Sequence, residues 1–178
     1  MKRLAVVLLL VCCLCGGCAI KAPYYRSSDL AGSKEGLIVV EYFDMTHAEN
    51  LYTGKSDFSK ILAEYVAGAL QEKGFQAVAV DKHNTEVSGK YRISGEITKI
   101  DQGHWQGRFW IGPGVGMARI SAQAVLTRVS DSAEMARRKE TTSSSTIQST
   151  EDILRRICAS LSREIAVKFY DTLRNDTK

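Results

Sequence analysis

Few residues in this sequence could do covalent or acid–base chemistry, and their spacing decides which kind. Three histidines, His47, His83 and His104, fall in separate polar stretches. None stands at ligand spacing from a cysteine or a second histidine, and no His-Glu-x-x-His motif is present. Solvated loop imidazoles are therefore expected rather than a metal centre. No Gly-x-Ser-x-Gly turn presents a nucleophilic serine. The carboxylates are scattered through helical and turn segments, with no pattern that pairs two of them as general acid and base. Gly112-Pro113-Gly114-Val115-Gly116 has the glycine density of an anion-binding loop. Such a loop needs a helix start behind it, whose free N–H groups face the anion. A strand pattern follows instead, so the expectation is a bent strand entry with glycine at positive φ. The residues thus predict no catalytic group, no metal and no cofactor.

Cysteine is where the sequence does point to chemistry. There are five, and four of them, Cys12, Cys13, Cys15 and Cys18, crowd the N-terminus. Met1-Lys2-Arg3 is a cationic head, and Leu4 to Leu14 is an unbroken apolar run of eleven residues. At about 1.5 Å per residue that run cannot cross a hydrocarbon layer roughly 30 Å thick, so it reads as a secretory signal and not a membrane span. Leu14-Cys15-Gly16-Gly17-Cys18 resembles the lipobox of bacterial lipoproteins, where cleavage falls just before a cysteine that carries a thioether-linked diacylglycerol. The usual leucine three places before the cysteine is Cys15 here, with Leu14 one step further out. The resemblance implies that residues 1–17 are a signal peptide and that Cys18 is the lipidation site. Palmitate-type acyl chains would then hold the protein to a membrane. Ala19, in place of an aspartate, implies the outer membrane, with the domain facing the periplasm.

Two consequences follow for the mature chain. Only Cys158 remains as a thiol, so no intrachain disulfide is expected, and its place on an apolar helical stripe predicts a buried, inert group. The formal charge of +4 falls to +2 once Lys2 and Arg3 are removed. So even a balance offers no electrostatic case for nucleic acid as a partner.

Two further stretches could recognise something without reacting with it. Trp105-Gln106-Gly107-Arg108-Phe109-Trp110-Ile111 sets four large apolar groups in a glycine-flanked segment. Either they fold onto the core or they form a docking surface, with Trp105 and Trp110 the partner-binding candidates and Phe109 packing inward. Arg137-Arg138-Lys139 reads as a solvated strand face that could also meet anionic headgroups near the anchor.

The elements that must carry these residues come next. The chain has 178 residues, 44% hydrophobic and 25% charged, enough for one globular domain. Residues 18–35, with Pro23, Gly32 and three serines, read as an acylated tether, and residues 36–174 as a single domain. Leu37 to Phe43 is a β-branched run apolar enough for a strand buried on both faces. A polar connection from Asp44 to Lys55 leads to a helix whose stripe is Phe58, Ile61, Leu62, Tyr65, Val66, Ala69 and Leu70, started by Ser56 and Asp57 and closed by Gly74. Phe75 to Val80 is the next strand, and strand–helix–strand in succession predicts a right-handed crossover between parallel strands. Tyr91, Ile93, Gly95 and Ile97 alternate with Arg92, Ser94, Glu96 and Thr98; Ala118, Ile120, Ala122, Ala124 and Leu126 alternate with Arg119, Ser121, Gln123 and Thr127. A turn at Ser130 to Ala133 leads into an exposed strand from Met135 to Thr146. A last helix runs from Glu151 to about Leu173, capped by Ser149 with Asp152 reaching back. The order β-α-β-β-β-β-α predicts an α+β fold of two layers, a mixed sheet of about five strands with two helices on one face.

The run Tyr91-Arg92-Ile93-Ser94-Gly95-Glu96-Ile97-Thr98-Lys99-Ile100, the aromatic-Ile111-Gly112-x-Gly114-x-Gly116-x-Ala118-Arg119 pattern and Val125-x-x-Arg128-Val129 together resemble the domain-of-unknown-function family numbered 4410. The helix end Leu70-Gln71-Glu72-Lys73-Gly74-Phe75 fits it too. The resemblance covers about residues 36 to 173 and implies a short proteobacterial lipoprotein, a specified fold and no specified activity. The function expected on these grounds is a non-catalytic binding or assembly module of the cell envelope, working on an envelope protein partner or as a homo-oligomer. Its rival is an enzyme that modifies an envelope polymer.

Overall fold

The computed structural model describes residues 36–84, 87–104, 116–144 and 150–176. In chain order they form β1 (Ile38–Glu41), β2 (Glu49–Asn50), α1 (Phe58–Gln71), β3 (Ala77–Val80), β4 (Tyr91–Asp101), β5 (Ala118–Arg128), β6 (Ala133–Ser144) and α2 (Thr150–Asp176). Asp57 begins α1 as its N-cap, its side chain accepting from the Lys60 N–H at 3.3 Å. Gly74, at φ +89°, follows the helix end. The buried stripe of α1 takes in Ala63 and Ala67 as well as Phe58, Leu62, Val66 and Leu70, because α1 packs on α2 as well as on the sheet. Along α2 the buried positions run Ile153, Ile157, Leu161, Ile165, Phe169 and Leu173, each four residues after the last, the i, i+4 spacing of an amphipathic helix.

One mixed sheet, in the order β3-β1-β4-β5-β6, carries both helices on one face, where Val40, Ile93, Ile120 and Leu126 join the helical stripes in a single core. The α+β expectation holds. β1 is parallel to β3 and to β4, while β4, β5 and β6 form an antiparallel meander. β1 is buried on both sides: Ile38 and Val40 face the helices, and Leu37 and Val39 join Val80 in a second, smaller cluster on the opposite face. The β3–β4 connection supplies the cover there. Val87 packs on that cluster, and a Cβ at Gly89 would lie 2.4 Å from the Leu37 carbonyl oxygen. Chain handedness accounts for the arrangement. A right-handed crossover from β1 to β3 runs over the helical face, and the return from β3 across β1 to β4 stays right-handed only on the other face.

Three expectations need correction. The stretch from Asp44 to Lys55 is not only a connection: it keeps following β4. Asp44 forms a parallel bridge with Glu96, and β2 pairs with β4 at Lys99 and Ile100, so among the described residues a short sixth strand joins the five expected. Backbone pairing there needs no apolar side chains, since Glu49 and Asn50 are exposed. Second, strict alternation along β4 fails at Thr98, where a bulge puts Ile97 and Ile100 on the core face together and turns Lys99 outward. Third, α2 extends to Asp176. The cap expected at Ser149 lies outside the described residues. Gly116 has φ +68°, in keeping with the strand entry expected there, and it faces Gly103 across the neck of the β4–β5 connection.

Candidate functional site

Adjacent parallel strands whose following segments leave to opposite faces of a sheet open a crevice at their carboxyl ends, and ligands of open α/β sheets settle there. β1 and β3 meet that description. After β1 the chain leaves toward α1 on the helical face; after β3 it leaves toward the opposite face. At the parting, the Tyr42 N–H still donates to Val80 of β3 at 2.9 Å, whereas the Asp44 N–H has already switched to Gly95 of β4 at 2.8 Å. The result is an open cleft of about 420 Å³, lined by Tyr42 to Thr46 from the end of β1, Asp57 and Ser59 from the start of α1, and Asp81, Lys82 and His83 from the end of β3.

Lys82 spans the opening, its Nζ 2.8 Å from Asp44 Oδ2. The Thr46 N–H and hydroxyl donate to Asp44 Oδ1 at 2.8 and 2.6 Å. These three donors hold the Asp44 carboxyl well below the usual carboxylate range, the Lys82 hydrogen bond first among them. Asp81 accepts from the His83 N–H at 2.9 Å. The Tyr42 phenol is pushed up, chiefly by burial; Lys60 opposes the shift and Glu64, Asp81 and Asp57 add to it. Three carboxylates against one ammonium make the cleft better suited to a hydrogen-bond-donating or cationic guest than to an anion. Among the described residues no group of three or more His, Cys, Asp or Glu could hold a metal ion.

A second candidate surface is the sheet face turned away from the helices. It presents Arg92, Ser94, Glu96 and Lys99 of β4, Arg119, Gln123 and Val125 of β5, and Arg137, Lys139 and Thr141 of β6, all at least partly exposed. Several of its charges are matched: Arg92 with Glu41 at 3.0 Å, Lys99 with Glu49 at 2.9 Å and Arg137 with Glu134 at 2.7 Å. The Thr141 hydroxyl donates to Ser121 Oγ across the β5–β6 ladder at 3.0 Å.

The residues singled out from sequence fare unevenly. Cys18, Trp105, Trp110 and Phe109 lie outside the described residues. His47, His83 and His104 are exposed on three separate loops. Cys158 is fully buried, and burial pushes its thiol up to about 12, so it holds its proton across the physiological range. The cleft was not anticipated, because Asp44, Asp81 and Lys82 sit in stretches that read as polar connections and Asp57 read only as a helix cap. The strand–helix–strand order signalled half of it; the crevice also needs the chain to leave β3 toward the opposite face, which no local pattern shows.

Comparison with known proteins supplies the remaining findings. The family model described as "Domain of unknown function (DUF4410)" matches residues 26–147. That match begins before the expected residue 36 and stops short of α2. No curated protein matches. Among solved structures, a Xanthomonas campestris protein of the family described as DUF330 shares 13% identity at a TM-score of 0.55, covering 82% of this chain and 92% of its own. The hypothetical protein CT253 from Chlamydia trachomatis shares 8% at a TM-score of 0.55, covering 78% and 98%. PelC from Paraburkholderia phytofirmans, solved as a dodecamer, shares 14% at a TM-score of 0.51, covering 74% and 89%. At these identities the likeness is one of fold.

Proposed function

This chain belongs to the DUF4410 family, matched over more than half its length, and from that premise we propose that it is a lipid-anchored module of the bacterial cell envelope. It acts by binding a protein partner or copies of itself, and not by catalysis. Cys18 carries the anchor, and the domain faces the periplasm from the outer membrane. The observation that carries the reading is the unequal treatment of the sheet's two faces. Both helices cover one, while the other presents a broad polar surface across β4, β5 and β6 that is open to an encounter. The N-terminal pattern supports the anchor, and among the described residues no helix is long and apolar enough to cross a membrane. PelC, which shares the fold, was solved as a dodecamer, which supports self-assembly as one form of the binding.

The test is chemical cross-linking of the acylated, full-length protein in intact envelopes, followed by mass measurement of the solubilised product. A discrete species heavier than one chain is expected, and a single chain without cross-linked neighbours would contradict the reading. A second reading, an enzyme acting on an envelope polymer, is favoured by the cleft at the ends of β1 and β3. Under it, Asp57→Asn and Asp81→Asn would abolish function while leaving the cross-linked species intact; under the binding reading both variants keep full function.

A further inference from the structure

We propose that the outer edge of β6 is a docking site for an extended, acidic segment of another protein, which adds to the sheet as a further strand. This rests on the binding reading above and gives the partner a chemistry. β6 is the longest strand, twelve residues, and among the described residues it is paired by β5 alone. A strand of that length at the end of a sheet offers a row of outward backbone donors and acceptors, the requirement for strand addition.

The charges of the meander single out the same edge. Arg92, Lys99, Arg128 and Arg137 each face a carboxylate, of Glu41, Glu49, Asp131 with Asp176, and Glu134 respectively. Arg119, Arg138 and Lys139 have no carboxylate within ion-pair distance among the described residues, and all three are exposed. Among the described residues Arg138 bonds only a backbone carbonyl, donating to Arg137 O at 3.0 Å. The ladder puts Arg138 opposite Ala124 on the helical face, and Lys139 opposite Gln123 on the open face. An added strand alternates its side chains in the same way. Carboxylates at consecutive positions would therefore meet Arg138 on one face and Lys139 on the other.

Two other occupants fit less well. A second copy paired two-fold about this triplet would set Arg137, Arg138 or Lys139 against its own image, and like charges directly opposite are unfavourable. Anionic headgroups could match the cations but leave the backbone groups of the edge unused.

The probe is a fluorescein-labelled ten-residue peptide of threonine and valine with a central Glu-Glu-Glu, titrated into the acylated full-length protein in detergent and read by anisotropy. Saturable binding is expected, weakened at least tenfold by Arg138→Glu with Lys139→Glu, and equally by N-methylation of alternate amides in the peptide. Circular dichroism of the double variant should match the parent. Equal binding of a Lys-Lys-Lys peptide, indifference to N-methylation, or no binding at all would overturn the proposal. So would self-association abolished by the double variant, or binding of phosphatidylglycerol vesicles that the acidic peptide does not displace. Acyl labelling at Cys18 is independent of every arm. A labelled protein that ignores the peptide therefore sinks the strand site alone, and an unlabelled one sinks the anchor alone.

Discussion

Gly95→Ala should destabilise the domain through a contact that no local pattern shows. Gly95 lies on the core face of β4, between Ile93 and Ile97, where an alanine would ordinarily help. A Cβ there would stand 2.5 Å from the Gln123 carbonyl oxygen of β5 and 2.5 and 2.7 Å from two atoms of the Phe43 ring. Ordinary contacts lie near 3.5–4.0 Å, so ring and backbone must each give by about 1 Å. Neither is free to do so. Phe43 is only 1% exposed, and Gln123 is held in the β4–β5 ladder. Overpacking of this kind costs about 1–3 kcal/mol. Restricting the unfolded chain returns about 0.4–1 kcal/mol. The net loss is about 1–2 kcal/mol, which for a domain of this size lowers Tm by roughly 4–8 °C. Thermal unfolding of the full-length protein, followed by circular dichroism, measures it. Phe43→Leu in the Gly95→Ala background should recover part of the loss and no more, because the Gln123 carbonyl stays in place; the two substitutions should couple by more than about 0.5 kcal/mol. An unchanged or raised Tm for Gly95→Ala would refute the reasoning, since only the entropic gain would then be at work.

Other outcomes follow from the same structure. Cys158, buried and with its thiol raised to about 12, should resist thiol reagents until the domain unfolds; labelling of the native protein at the rate of a free thiol would contradict its burial. Asp176 ends α2 in a clasp with the Tyr91 hydroxyl at 2.6 Å, the Arg128 guanidinium and Lys90, and those bonds lower its pKa, the Tyr91 hydroxyl most. Its contribution is complete above the ordinary value of 3.8 and is lost as pH falls from there through the lowered folded value. Melting profiles should therefore drop more steeply with acid, from about pH 4 downward, in the parent than in Asp176→Asn. Trp105→Ala and Trp110→Ala should each leave Tm in place and reduce cross-linked product. A fall matching the roughly 3–5 kcal/mol of a truncated core aromatic would place those rings in the interior.

Much of the fold was legible because it rests on local periods. The parallel β1–β3 pair, the two-sided burial of Leu37 to Val40 and both helical stripes followed from strand and helix spacing alone. What escaped depends on partners far along the chain. Ile97 and Ile100 cannot share a face in a regular strand, so the bulge at Thr98 was implicit in their spacing, yet only the core across β5 decides that both turn inward. The Asp44–Glu96 bridge and the Tyr91–Asp176 clasp join residues with no signature in their own neighbourhoods. The cleft is a product of topology, with its chemistry on exposed side chains that look like any polar turn. The proposed anchor is the opposite case. Its pattern is read from eighteen consecutive residues and owes nothing to the fold.

The central claim, an envelope module held by acyl chains, is tested most directly by metabolic labelling with radioactive palmitate followed by membrane fractionation. The parent protein should carry label and sediment with outer membranes, and Cys18→Ala should lose the label and become soluble. An unlabelled parent, or a Cys18→Ala protein that still partitions with membranes, would contradict it.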